Sequence, residues 1–241
     1  MKKIDKRKKY VLVIDVETAN TIIDSKFNDG LVYDIGFGVY DKKGNEYVAK
    51  SWTIKEIFDK EEELMQSAYY AWKLPRYYEE LKNGTRQTMT IKGAKKYIAK
   101  VMETYNITEV YAYNAKFDKQ TLDNTIRFVT KSKERYFFPY GTEIKDIWNM
   151  ACCVLCTQKT FLKQNIRNDK GNFITNAERV FGYISCQSDF EEDHIGLQDV
   201  RIEAQILARC FAQHKHMETN PYHANWRLPR KKYEELGLEC A

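Results

Sequence analysis

The chain has 241 residues, 43% of them hydrophobic and 30% charged, with 11 Gly and 4 Pro. These proportions exclude collagen-like, low-complexity and wholly disordered chains and suit one compact domain. The formal charge of +5 hints at a polyanionic partner, and the longest apolar run, Met150 to Cys156, is far short of the roughly 20 residues of a membrane span.

The basic start 1–9 reads as a solvated arm, as do Arg227, Arg230, Lys231 and Lys232 near the other end. Tyr10 to Ile14 is a β-branched apolar run of the kind buried on both faces of a sheet. It ends at Asp15, too short for the roughly 7–15-residue core of an export signal. A cytoplasmic location is therefore expected, with the six Cys as free thiols. Leu31 to Tyr40 and Glu46 to Ile54 read as two further strands joined by the Gly-bearing hairpin loop Asp41 to Asn45. Lys55 to Thr90 reads as irregular helix punctuated by Pro75 and Gly84, and Ile91 to Asn106 as a regular one.

Thr108 to Tyr113 is a short buried strand, Ala115 to Val129 a helix, Arg135 to Phe138 a fifth strand and Asp146 to Cys156 another helix. Thr175-Asn176-Ala177-Glu178 has capping-box form and opens a helix to Ile184. Val200, Ala204, Leu207, Cys210 and Phe211 mark the apolar stripe of a final long helix. Three antiparallel strands followed by strands alternating with helices predict an α/β fold: a mixed five-stranded sheet flanked by helices. One domain spans 1–241, with a core of about 10–213 and a C-terminal extension 214–241.

Acids stand where charge is a liability. Asp15 and Glu17 follow the first strand, and the side-chain period of two puts both on one side of the chain. Asp118 shares a helical stripe with Leu122, Thr125 and Val129, and Asp199 sits in the first turn of the last helix, one residue before its apolar stripe. A helix dipole favours both in part, yet two helices and a strand all aim acid at the sheet. Converging carboxylates repel unless protonated or bridged, and Mg²⁺ or Mn²⁺ is the natural bridge. His194 stands five positions before Asp199, and an imidazole is a side chain whose unperturbed pKa suits a base that activates water.

In order and separation, Val13-Ile14-Asp15-Val16-Glu17-Thr18, Asn114-Ala115-Lys116-Phe117-Asp118 and His194-Ile195-Gly196-Leu197-Gln198-Asp199 resemble the three motifs of the DnaQ-like DEDDh 3′–5′ exonucleases. The resemblance covers about Tyr10 to Phe211 and implies an RNase H-like fold. It also implies hydrolysis of single-stranded nucleic acid from a free 3′ end, releasing nucleoside 5′-monophosphates; the motifs do not encode contacts to the 2′ position, and DNA is only slightly favoured over RNA. Carried over, Asp15, Glu17, Asp118 and Asp199 would hold two divalent cations, Mg²⁺ or Mn²⁺, and His194 would be the general base. Thr18, Asn114 and Phe117 would contact substrate, and a DNA polymerase is a candidate partner. Ala19-Asn20 after the first motif and Gly196 two places after His194 depart from the family pattern and bear on substrate fit. The competing reading is a non-catalytic nucleic-acid-binding or polymerase-interaction module on the same fold, which would have no physical reason to keep four mutually repelling acids.

The remaining features read as packing or solvent. Cys152, Cys153 and Cys156 lack a second pair at zinc spacing and suit an apolar helix. His214, His216 and His223 follow a helix end. The aromatic stretch Tyr69, Tyr70, Trp72, Tyr77 and Tyr78, interleaved with Lys73 and Arg76, fits either packing on the sheet or stacking of bases.

Overall fold

A computed structural model of the chain describes residues 4–5, 7–19, 30–66, 68, 71–192 and 195–238. Strands β1 (Tyr10–Ala19), β2 (Leu31–Asp41) and β3 (Glu46–Ile54) form an antiparallel meander. The β2–β3 turn is held by Asp41, whose Oδ1 accepts the backbone N–H groups of Lys43 and Asn45. Three short helices follow: α1 (Lys55–Phe58), α2 (Glu62–Gln66) and α3 (Leu74–Lys82), the last with Pro75 in its first turn. Then come β4 (Thr88–Met89), α4 (Ile91–Tyr105), β5 (Glu109–Ala112), α5 (Ala115–Thr130) and β6 (Glu143–Asp146). Among the described residues five α-helices follow: α6 (Ile147–Val154), α7 (Lys159–Lys163), α8 (Ala177–Ser185), α9 (Gly196–Phe211) and α10 (Leu228–Glu235). No helix among the described residues is long and apolar enough to cross a membrane.

The sheet is mixed and six-stranded, in the order β4-β3-β2-β1-β5-β6, with β5 and β6 parallel to β1. Its alternating side chains feed two cores. Leu12, Ile14, Ile35 and Phe37 pack with α4 and α5 on one face, and Val11, Val13 and Tyr111 with α6 and α9 on the other. Cys152, Cys156 and Cys210 are buried thiols of the second core, as their helical spacing predicts.

Several expectations are corrected. Arg135 to Phe138 is not a strand: Phe137 is buried, but its N–H is spent on Asp123 Oδ1 at 2.8 Å rather than on a neighbouring strand. The fifth strand is Glu143–Asp146, three of whose four residues are charged, which hides it from an apolar-run search. A sixth strand, the two-residue β4, is too short to carry a pattern. The α8 cap is Asn176, which accepts the Arg179 N–H, while Thr175 Oγ1 accepts Trp148 Nε1–H at 2.8 Å. Helix α9 is not the last. The extension interlocks with α6, Asn149 Nδ2 donating to the carbonyls of Asn220 and His223, and α10 buries Tyr233 against Phe173 in the second core. The N-terminal arm is not merely solvated either, since Lys8 pairs with Asp41 and Lys9 with Glu109.

Helix α9 meets the sheet backbone to backbone. A Cβ on Gly36 would lie 2.1 Å from the Gly196 carbonyl group, and one on Gly196 would lie 2.7 Å from Gly36 N. The departure at Gly196 thus has a packing cause, because glycine at both positions lets α9 begin directly on β2. Gly36→Ala is expected to destabilise the protein by about 1–3 kcal/mol, the usual range for overpacking, measured by urea denaturation. An unchanged midpoint would show that the contact yields.

Candidate active site

The β1 alternation that sends Val11 and Val13 into the second core carries Asp15 and Glu17 onto that same face. Asp199 enters from the first turn of α9, which packs there. Carboxylate oxygens of Asp15, Glu17 and Asp199 all lie within 4.8 Å of one another. Asp118 arrives separately. β1 pairs with β5 only at Leu12 and Val13; farther along, the buried Asp118 carboxylate, in the first turn of α5, accepts the Val16 N–H between Asp15 and Glu17. Its charge acts on both of them. The structure therefore gathers Asp15, Glu17 and Asp199, with Asp118 near enough for its charge to reach the first two.

Two further carboxylates fix the helix starts. Asp146 closes β6, accepting the Ala115 N–H that opens α5 at 3.2 Å and the Asn149 N–H of α6 at 2.8 Å. It replaces a side-chain cap that Asn114, in a left-handed conformation at φ 69°, does not supply. Asp34, opposite Glu17 in the β1–β2 register, accepts the Gly196 N–H that opens α9. Asp34 is also bound by Arg86 Nη1 at 2.9 Å and by the Tyr77 hydroxyl at 2.8 Å, and the Arg86 guanidinium lies 4.1 Å from the centre of the Tyr77 ring. Asp34 thereby ties α3, through Tyr77, and the segment before β4, through Arg86, to the start of α9.

Residues beyond the motifs join the cluster. Glu203, one helical turn after Asp199, is 3% exposed, and its charge acts on Asp15 more strongly than that of any other acid. The backbone N–H of Tyr113 donates to it. Glu192 lies beside Asp199 on the segment entering α9. Glu203 was legible in sequence, since it repeats Asp199 at the i+4 position of an otherwise apolar stripe; Glu192 has no such signal. The buried Lys73 is the opposing cation, drawing the pKa values of both Glu17 and Glu192 down.

Of the remaining predicted residues, Thr18 is half-buried on β1, Phe117 half-buried in the first turn of α5, and Asn114 exposed just before it. His194 lies outside the described residues, between Glu192 and Ile195. Of the aromatic stretch, Tyr77 is fully buried and Trp72 is 73% exposed, so one ring packs and the other is free to meet a ligand.

Burial, then mutual repulsion, pushes Glu17 up to about 9 and Glu192 up to about 8, and drives Asp15 and Glu203 well above the usual carboxylate range. Asp15 Oδ2 and Glu203 Oε2 are shut off from solvent and meet no hydrogen-bond partner among the described residues. Buried oxygen donors with unspent lone pairs and excess negative charge are what a hard divalent cation binds. The residues present thus fit such an ion.

Above about pH 5 the unfolded chain has released carboxyl protons that the metal-free fold retains. Stability in chelator is accordingly expected to fall as pH rises towards about 9, the value reached by Glu17, since the folded state binds more protons. Thermal melts in a buffer series test this, and a flat profile would contradict it. Addition of a divalent cation should recover the loss. Glu203→Gln, which removes one buried charge, should raise the chelator melting temperature at the alkaline end of the series.

No protein-family model and no curated protein sequence matches this chain. Solved structures do. The nuclease domain of 3′hExo, a DEDDh family member, bound to rAMP, superposes with a TM-score of 0.58 at 12% identity, over 90% of this chain and 98% of that one. A 3′-exonuclease whose structure concerns 3′-end-specific recognition of the histone mRNA stem-loop gives 0.55 at 10% identity, over 92% and 70%. A full-length 3′-exonuclease gives 0.53 at 11% identity, over 91% and 89%. With at least 90% of its length matched in each case, the chain has the fold of the DEDDh exonucleases, a mixed α/β sheet of the RNase H-like kind flanked by helices.

Proposed function

We propose that the protein is a metal-dependent 3′–5′ exonuclease that shortens single-stranded nucleic acid by one nucleoside 5′-monophosphate per turnover. The observation that carries this reading is the convergence of Asp15, Glu17 and Asp199 within 4.8 Å, with Asp118 docked on the strand between the first two. The shared architecture with a nuclease domain solved with rAMP supports it.

Asp15, Glu17, Asp118 and Asp199 would hold two Mg²⁺ or Mn²⁺ ions. Such ions supply Lewis-acid polarisation of the phosphodiester and neutralise the charge that develops on it. His194 would take the proton of the attacking water, its place in the chain lying between Glu192 and Asp199 of the cluster. The new bond joins water oxygen to phosphorus, and the bond to the 3′ oxygen of the preceding nucleotide breaks. Glu17 and Thr18, at the end of β1, would lie nearest the terminal nucleotide, and Asn114 and Phe117 would border it from the start of α5. Lys73 balances charge beside Glu17, with its ammonium 4.9 Å from the centre of the exposed Trp72 ring. A cation next to an exposed ring suits a strand that offers both phosphate and base.

Asp15→Asn and His194→Ala are each expected to lower cleavage of an end-labelled strand by at least about 100-fold while the circular-dichroism spectrum stays that of the folded protein. Matched DNA and RNA strands digested side by side give polarity and sugar preference in the same experiment. Turnover that survives Asp15→Asn, or excess chelator, rejects the reading.

A further inference from the structure

Next to the acid cluster lies a cavity of opposite character, with a volume of about 680 Å³. Tyr113 belongs to both places: its backbone N–H donates to Glu203, while its ring lies 6.4 Å from that of Trp148 at an interplanar angle of 23° in the cavity wall. Asn114, of the second motif, continues the same wall. Across the opening stand Phe173 and, from the C-terminal extension, Trp226.

Amide donors and a lysine are among the polar groups of this cavity. Among the described residues, none that lines it carries a carboxylate, although the chain contains 34 Asp and Glu. Lys170 contributes an exposed ammonium at the rim. Asn168 Oδ1 is engaged by the N–H groups of Lys170 and Asn172, and Asn176 Oδ1 by that of Arg179, so these amides offer a ligand their NH₂ groups. The guanidinium of Arg227 lies 4.8 Å from the centre of the Trp226 ring, whereas Arg230 and Lys232 are paired with Glu234 and Glu235. Flat apolar walls, amide donors and rim cations match one chemical class: an unpaired nucleobase with the phosphate beside it.

We infer that this cavity is a base-binding subsite, receiving a nucleotide of the single strand upstream of the one held at the acids. The inference rests on the nuclease reading and deepens it: the acids act on the 3′ end, and the cavity makes an oligonucleotide a better ligand than a mononucleotide. It gives the C-terminal extension a function, because Trp226 forms part of the wall.

The test uses the full chain carrying Asp118→Asn to prevent cleavage, with Mg²⁺ present. Binding of fluorescein-labelled oligothymidylate is followed by anisotropy and that of dTMP by calorimetry. Trp226→Ala should weaken oligothymidylate binding roughly tenfold, the scale of one lost stacking contact. Lys170→Ala, at an exposed site where folding is not at stake, should weaken it less and reduce the salt slope by about one. Both should leave dTMP affinity unchanged. Oligothymidylate binding that neither substitution alters overturns the subsite, as does an equal loss for dTMP. If the parent binds neither probe and the native chain cleaves nothing, the nuclease reading fails with it. Cleavage and oligothymidylate binding that persist while both substitutions are silent discard the subsite alone.

Discussion

Like charge held out of water is the constraint around which this molecule is arranged. Three acids within 4.8 Å, with Asp118, Glu192 and Glu203 around them, sit at the carboxyl end of a strand buried on both faces. Such a group is tolerated by protonation or by a cation of higher charge, and Lys73 offsets part of the charge on Glu17 and Glu192. The stability of the metal-free protein and its capacity to bind ions are two readings of one electrostatic quantity. Whatever lowers the repulsion makes the fold more stable, and whatever preserves the repulsion makes it a better ligand for cations.

The acids near this site divide by what their oxygens meet. Asp34 and Asp146 are buried too, yet their oxygens accept backbone N–H groups at the starts of α9, α5 and α6, and Asp34 also carries the Arg86 guanidinium. Asp146 is correspondingly pushed only to about 6, while Glu17 reaches about 9. The first pair braces the helix starts, whereas Asp15 Oδ2 and Glu203 Oε2 meet no hydrogen-bond partner among the described residues. Positioning is exacting because α9 has no side-chain cap of its own. Its beginning is placed by the Asp34 carboxylate and the glycine contact with β2, so Asp199 is set by groups distant in sequence.

Charge is also partitioned over the surface near the site. A carboxylate-free cavity with Lys170 at its rim adjoins the acids through Tyr113. The acids present clustered carboxylates, while the described residues lining the cavity present none. The C-terminal extension serves this arrangement by anchoring on α6 and burying Tyr233, which holds Trp226 against the body of the protein.

Sequence alone determined the β1 alternation, the meander, the helical stripes and the four motif acids. These are short-range periodicities, where one residue predicts the environment of another two or four places away. Glu203 was within that reach by its i+4 relation to Asp199. Asp34, Asp146, Lys73 and Glu192 were not. The partners of the two bracing acids, Gly196, Arg86 and Ala115, lie tens to more than a hundred residues from them, and Lys73 meets Glu17 only through the folding of the insert between β3 and β4. Edge strand β6 escaped because three of its four residues are charged and leave no apolar run, and the structural role of Gly196 because a close backbone contact leaves no local mark. Tertiary structure decided which buried acids have their lone pairs satisfied by N–H groups and which do not, for that depends on distances between segments that no local pattern encodes.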